Sequence, residues 1–145
     1  MELTESMLLD DIDGIVPTMA ALKQLGLQIS LDDFGTGYSC LRYLKSLPID
    51  QLKIDQSFVR DIVTDANDRA IVRTVLAMAS SLELDTIAEG VETDEQFDML
   101  LHKNCRCFQG YLFGKPVPFD RFFERSSIKI PPRFARQGCR KTRRR

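Results

Sequence analysis

The stretch Ile29-Ser30-Leu31-Asp32-Asp33-Phe34-Gly35-Thr36-Gly37-Tyr38-Ser39 decides the fold. It begins inside an apolar run, residues 27–31, which predicts a buried β-strand. Two adjacent carboxylates follow, and the glycines after them indicate a turn. Because successive strand side chains point to opposite faces, we predict that Asp32 and Asp33 converge where the strand ends. Paired acids at the carboxyl end of a strand are typical of metal sites, although an isolated Asp-Asp before glycine is more often a turn.

Helical and strand patterns alternate along the rest of the chain. Apolar residues spaced by three and four predict helices over 8–25 and 71–82, and a capping box at Thr93 and Gln96 predicts the start of another. Besides residues 27–32, strands are predicted at 51–55, 85–89 and about 106–109. This alternation favours an α/β fold with parallel strands.

Polar residues follow the predicted strands at their carboxyl ends. In a β/α barrel these ends share one rim and face one cleft, so the side chains should meet there. Acids crowded at such a rim raise one another's pKa unless cations neutralise them. The residues concerned are Asp32, Asp33, Lys53, Asp55, Glu89, Glu92 and Gln109.

Charge is distributed unevenly along the 145 residues, although the net charge is only −1. Residues 133–145 contain seven basic residues and no acid, so residues 1–132 carry −8, the difference between −1 and +7. An acidic body argues against a nucleic acid polymer as partner. We divide the chain into a folded part, residues 1–126, and a basic, disordered tail, residues 127–145.

The remaining composition favours a cytoplasmic protein without a membrane span. The four cysteines lack CxxC spacing and the only histidine is His102, so we interpret them as reduced thiols. The acidic, polar first residues do not form a signal peptide. No uncharged run exceeds nine residues, which excludes a spanning helix.

Five segments together resemble a known bacterial signalling family. They are ELTES at 2–6, DDFGTGYS at 32–39, KID at 53–55, EGVET at 89–93 and QGYLFGKP at 109–116. In order and spacing they are similar to the EAL-domain cyclic-di-GMP phosphodiesterases, from Glu2 to about Phe123. The resemblance implies a TIM-like barrel and hydrolysis of cyclic-di-GMP to linear pGpG with Mg²⁺ or Mn²⁺.

The resemblance also implies roles for individual residues. Lys53 resembles the lysine that orients the attacking water, and Gln109 the glutamine that helps hold it. Glu92 resembles an acid that meets a guanine, and Glu5 the acid that anchors the loop formed by Gly35, Thr36 and Gly37. The residues that look like ligands of a two-metal site are Glu2, Asp32, Asp33 and Glu89.

The sequence departs from the family pattern mainly by what it lacks. Neither the Glu-Ala-Leu tripeptide nor the strand with the metal-binding asparagine occurs, and a TIM barrel needs about 250 residues. We therefore expect the last four to five strands of an incomplete barrel, with Glu2 at the end of its strand. A weakened metal site is also expected. The strand at 27–31 and the strand near Gln109 should be open edges that permit self-association.

Three functional hypotheses follow from these observations. The first is the carboxyl-terminal half of a cyclic-di-GMP phosphodiesterase, favoured by the intact Asp32, Asp33, Lys53, Glu89 and Gln109. The second is a non-catalytic module that binds cyclic-di-GMP or a protein partner, favoured by the absent half. The third is a truncated reading frame without independent function, favoured by the abrupt start at Met1.

Overall fold

The computed structural model describes residues 1–5, 7, 12–35 and 41–118. Within these residues, five short parallel strands form one sheet in the order in which they occur in the chain. Helices connect the strands, as the alternating patterns predict. The α/β class, the parallel pairing and the number of strands are therefore confirmed.

The strands and helices have the following bounds. The strands are β1 (Glu2–Thr4), β2 (Ser30–Phe34), β3 (Gln51–Ile54), β4 (Asp85–Ala88) and β5 (Cys107–Phe108). The helices are α1 (Ile12–Gln24), α2 (Leu41–Leu44), α3 (Gln56–Arg60), α4 (Ala66–Ser81) and α5 (Asp94–His102). Thr93 and Gln96 form the predicted capping box at the start of α5. None of the helices in the described ranges combines the length and apolar character needed to span a bilayer.

The core lies between the sheet and its helices. The strand residues Leu31 and Leu52 are fully buried, and so are Val72 and Ala79 of α4. Helix α4 packs against β3 and β4, which explains why the apolar residues of its sequence fall on one side. Burial of this apolar surface holds the strands parallel and brings their carboxyl ends to one edge.

The prediction that β2 is an open edge is wrong, because β1 pairs with it. Leu3 lies beside Leu31, and Thr4 lies beside Asp32. The three-residue β1 contains one apolar residue, too little pattern to predict a strand. Among the described residues, the outer strands of the sheet are β1 and β5.

The position of Glu2 also differs from the prediction. Glu2 is the first residue of β1, whereas Thr4 is the last. The glutamate therefore reaches the other polar residues from the start of its strand, through the length of its side chain.

Several predictions fall on residues that the structure does not describe. The residues after 118 lie outside the described ranges, so the division at residue 126 and the disordered tail stay predictions.

Of the four cysteines, Cys105 is a buried free thiol whose pKa is raised by burial. For the other three cysteines, the interpretation as reduced thiols stays a prediction.

Candidate functional site

Asp32 and Asp33 converge because β2 contains a bulge, and not because the strand ends before them. Leu31 pairs with Leu52 and Phe34 with Ile54, so both aspartates lie opposite the single residue Lys53. One strand thus has an extra residue, which defines a β-bulge. The backbone of Asp33 accommodates the extra residue by adopting a positive φ of 55°. The bulge turns two consecutive side chains towards one neighbour.

Lys53 is the centre of the site. Its side chain is 7% exposed, and its Nζ lies 3.0 Å from Oε1 of Glu2, 3.0 Å from Oδ2 of Asp32 and 2.7 Å from Oε1 of Glu89. Strands β1, β2 and β3 and the first residue after β4 each provide one of these groups. We call these four residues the Lys53 cluster. Four segments distant in sequence therefore meet at one ammonium group.

The neighbouring carboxylates stabilise the protonated form of Lys53. Burial alone would lower the pKa of this ammonium. Hydrogen bonds to Glu89, Glu2 and Asp32 outweigh burial, so the pKa of Lys53 lies above its usual value. Lys53 therefore stays protonated and neutralises part of the negative charge at this edge.

Asp33 belongs to a second, acidic contact beside the cluster. The pKa of the Asp33 carboxyl is raised by burial, then by the negative charges of Asp32 and Asp55 and by a hydrogen bond to the Asp55 side chain. Lys53 opposes this shift by lowering the pKa. The negative charges around Asp33 therefore favour its protonated form in the absence of a cation.

Asp55 is a site residue to which the sequence pattern assigns no role. It follows β3 and caps α3, where its Oδ1 accepts hydrogen bonds from the Ser57 amide at 2.8 Å and from the Ser57 hydroxyl. Its contact with Asp33 depends on the bulge in the neighbouring strand. The signals in the sequence are its place at a strand end, two residues after Lys53, and its membership of the KID segment.

The segment after β2 is attached to β1 by Glu5. The Glu5 side chain is buried, and its Oε2 accepts a hydrogen bond from the Gly35 amide at 3.2 Å. This is the contact expected of a residue that anchors the glycine loop. Thr36 and Gly37, the other predicted loop residues, lie outside the described residues.

Gln109 and Glu92 lie at the same edge with exposed side chains. The Gln109 backbone bridges two segments, because its amide donates to the Ala88 carbonyl and its carbonyl accepts from the Val91 amide. The backbone of Glu92 is fixed by a hydrogen bond in which its amide donates to Oε1 of Gln96 at 2.8 Å. The structure therefore places both residues at the carboxyl edge of the sheet with their side chains open to solvent.

The donor set fits a hard divalent cation in its chemistry. The predicted ligands are all carboxylates, and hard cations prefer oxygen. In the described part of the chain, however, no group of three or more His, Cys, Asp or Glu is arranged to hold a metal. Three of the four predicted ligands bind the Lys53 ammonium, which shows that a cation is stabilised where they meet.

A cavity of about 680 Å³ lies elsewhere, at the amino end of β4. Arg73 of α4, Asp85 and Arg106 are among the residues that line it. None of the predicted site residues does so. The cavity and the predicted site residues therefore lie at opposite ends of the strands.

Comparison with known proteins identifies the family. The profile of the EAL domain matches residues 1–116. The cyclic di-GMP phosphodiesterase NbdA of Pseudomonas aeruginosa is 47% identical over 118 residues, which is 81% of this chain and 15% of that protein. The bifunctional diguanylate cyclase/cyclic di-GMP phosphodiesterase MucR of the same species is 43% identical over 121 residues, which is 83% of this chain and 18% of MucR.

Solved structures give the same result. A cyclic-di-GMP complex of the PaMucR phosphodiesterase superposes with a TM-score of 0.79 at 43% identity, covering 83% of this chain and 49% of that chain. BlrP1 of Klebsiella pneumoniae, in complex with manganese and cyclic-di-GMP, has a TM-score of 0.74 at 37% identity, covering 80% and 30%. The chain thus spans about half or less of these relatives. Its sheet corresponds to part of their TIM-like barrel, and the chain belongs to the EAL domain family.

Proposed function

We propose that this chain provides the carboxyl-terminal half of a metal-dependent phosphodiesterase that hydrolyses cyclic-di-GMP to linear pGpG. The observation that carries the proposal is the meeting of Glu2, Asp32 and Glu89 at the Lys53 ammonium. Because the chain covers 49% of the PaMucR chain, turnover is proposed for the complete domain.

The relatives support the proposed substrate class. PaMucR and BlrP1 were both solved with cyclic-di-GMP, and BlrP1 also with manganese. In the proposed reaction, the oxygen of a water molecule bonds to one phosphorus of the cyclic dinucleotide. The bond from that phosphorus to the ribose 3′ oxygen breaks, and the leaving oxygen takes up a proton. Cleavage of this one bond opens the cyclic dinucleotide and gives linear pGpG.

The chain's own residues would orient and neutralise the reacting groups. The Lys53 ammonium is permanently charged and can donate to the attacking water or to the phosphate as negative charge develops. Gln109, with its exposed amide, would help hold the water. Glu92 would accept hydrogen bonds from a guanine edge, and Glu5 would keep the glycine loop in place through Gly35.

Two divalent cations, Mg²⁺ or Mn²⁺, are part of the proposal. Glu2, Asp32, Asp33 and Glu89 would hold them, and the contact with Asp33 adds Asp55 as a further carboxylate. Bound cations of this kind lower the pKa of a coordinated water and neutralise charge on the phosphate. The raised pKa of Asp33 supports this assignment, since a cation would relieve the same repulsion.

A second candidate is a module that binds cyclic-di-GMP without hydrolysing it. In this case Lys53 would act as a fixed positive charge for the substrate phosphates. The observation that favours it is that Glu2, Asp32 and Glu89 already contact one cation, the Lys53 ammonium. We also place the chain in the cytoplasm, because a doubly charged dinucleotide does not cross a bilayer unaided.

The test is incubation of the purified chain with cyclic-di-GMP and Mn²⁺ or Mg²⁺, followed by detection of pGpG. Asp32→Asn removes a charge from the Lys53 cluster. Asp50→Asn is the matched control, because Asp50 binds Lys23 at the amino end of the sheet. Product that Asp32→Asn abolishes and Asp50→Asn retains supports the enzyme.

If no product forms, the affinity of the chain for cyclic-di-GMP distinguishes the remaining alternatives. Saturable binding of cyclic-di-GMP by the folded chain would favour the binding module. Absence of both product and binding, in a chain shown to be folded by circular dichroism, would overturn both functions for this chain alone.

A further inference from the structure

The side chain of Gln96 connects two of the segments that carry the site. It lies in the first turn of α5 and is only 6% exposed. Its Oε1 accepts hydrogen bonds from the amides of Glu92 at 2.8 Å and Thr93 at 3.0 Å. Its Nε2 donates to the Arg60 carbonyl at 3.1 Å. Both polar ends of this buried amide are therefore used.

Only part of this arrangement is needed to cap the helix. In a capping box, the third helical residue accepts from the backbone amide of the cap, which here is Thr93. The hydrogen bond to Arg60 lies outside the box and joins residues 36 positions apart. A glutamate would satisfy the capping box equally well, but it could not donate to Arg60. The choice of glutamine thus points to a function beyond the cap.

The two connected segments are those that bear Lys53 and Glu89. Arg60 is the last residue of α3, whose first turn is capped by Asp55, two residues after Lys53. Glu92 lies three residues after Glu89. Within this pair of segments, the Glu89 amide also donates to the Ile54 carbonyl at 3.2 Å. Gln96 therefore closes a ring of contacts around the carboxyl ends of β3 and β4.

The other side of the segment after β4 is already fixed. The Val91 amide donates to the Gln109 carbonyl at 3.0 Å, and the Val91 carbonyl accepts from the Leu112 amide at 3.0 Å. These backbone contacts hold the segment against the residues that follow β5. Towards Lys53 and α3, the segment is held by the Glu89 amide, by the close approach of Gly90 to Gln56, and by the side chain of Gln96.

We propose that Gln96 is a positioning residue of the site, which fixes the segment with Glu89 and Glu92 against α3 and so sets their distance from Lys53. The structural part of this proposal does not depend on the activity. Its catalytic part rests on the proposed function, where a displacement of about 1 Å can lower the rate about 100-fold.

Three variants separate positioning from capping. Gln96→Glu keeps the acceptor for the Thr93 amide and loses the donor to Arg60. Gln96→Met keeps the volume and loses both functions, so agreement between the two excludes an effect of the new charge. Thr93→Ala is the control, because it removes the other half of the capping box and leaves the bond to Arg60 in place.

The measurement is amide hydrogen exchange in the full chain without ligand. In both Gln96 variants we expect at least about tenfold faster exchange at Ser57, Phe58 and Glu89, whose amides are hydrogen-bonded around α3 and β3 in the structure. Thr93→Ala should accelerate exchange in the first turn of α5 only. Unchanged exchange at Ser57, Phe58 and Glu89 in both Gln96 variants would overturn the proposal.

Affinity for cyclic-di-GMP, measured on the same proteins, tests the functional part separately. We expect a weakening of about tenfold or more in the Gln96 variants and less than about twofold in Thr93→Ala. If the unmodified chain does not bind the dinucleotide, the proposed function fails for this chain, and the exchange data alone still decide whether Gln96 positions the segment.

Discussion

The Nζ of Lys53 lies 2.7 Å from Oε1 of Glu89, and the two side chains are only 7% and 17% exposed. Glu2, which contacts the same ammonium, is 61% exposed, so the charge of Lys53 is balanced mainly by Asp32 and Glu89. A lysine placed among carboxylates in this way neutralises their repulsion. The stability of the carboxyl edge of the sheet should therefore depend on this one cation.

Replacement of Lys53 by methionine should lower the free energy of unfolding by about 2–4 kcal/mol, because it leaves partly buried carboxylates without a counter-charge. Lys23→Met is the matched control. The Lys23–Asp50 pair joins side chains that are 34% and 30% exposed, and we expect its loss to cost about 1 kcal/mol or less. Urea denaturation of both variants checks the difference. Equal losses of unfolding free energy in the two variants would show that the Lys53 cluster contributes no more to stability than the Lys23–Asp50 pair.

The sequence predicts those features that depend on residues close together in the chain. The capping box at Thr93 and Gln96 is confirmed, since both of its hydrogen bonds lie within one helical turn. The strand that carries Lys53 is predictable because apolar residues surround it. The assignment of the chain to the EAL family is also confirmed. The roles assigned to individual site residues stay predictions.

Features that depend on pairing between distant segments are not predictable in this way. The bulge at Asp32 and Asp33 exists only relative to β3, so the sequence of β2 alone could not reveal it. The contact between Asp33 and Asp55 depends on that bulge. Helix α3 is indistinguishable from a connector in the sequence, because five residues give too short an apolar period.

The carboxyl of Asp33 should make the stability of the chain depend on pH. Its pKa is raised above 3.8 in the folded protein, so folding favours the protonated form and ionisation costs stability. At pH 7 without metal, Asp33→Asn should therefore be more stable than the unmodified chain. This advantage should shrink as the pH falls through the raised pKa towards 3.8.

Urea denaturation from pH 7 to pH 4 in the presence of EDTA measures this difference. Asparagine tolerates the positive φ at this position, so the backbone should not obscure the result. A constant difference between the two proteins over this range would mean that Asp33 is not the titrating group.

The hydrogen bond from the Gly35 amide to Glu5 should be needed to order the start of the glycine loop. Glu5→Ala removes a buried acceptor and should cost about 1–3 kcal/mol, with faster exchange of the Gly35 amide. Glu5→Gln keeps an oxygen that can accept the same bond and should cost less. Unfolding by urea and amide exchange test both variants, and a Gly35 amide equally protected in Glu5→Ala would exclude the anchoring role.

Gly110 should tolerate no side chain, because the residues after β5 pass directly over Val91. A β-carbon at Gly110 would lie 2.1 Å from the Val91 carbonyl oxygen and 2.3 Å from its nitrogen, and both are backbone atoms that cannot rotate away. Gly110→Ala should therefore cost at least about 3 kcal/mol and break the bond between the Val91 amide and the Gln109 carbonyl.

Gly26→Ala provides the comparison for this substitution. Gly26 has a φ of +83°, and a β-carbon added there would have no other atom within 4 Å, so only the backbone conformation opposes alanine. We expect a cost of about 1–2 kcal/mol there. Urea denaturation of the two variants separates the effects, and a loss at Gly110 no larger than at Gly26 would mean that the segments carrying Gln109 and Glu89 are not locked together by this close approach.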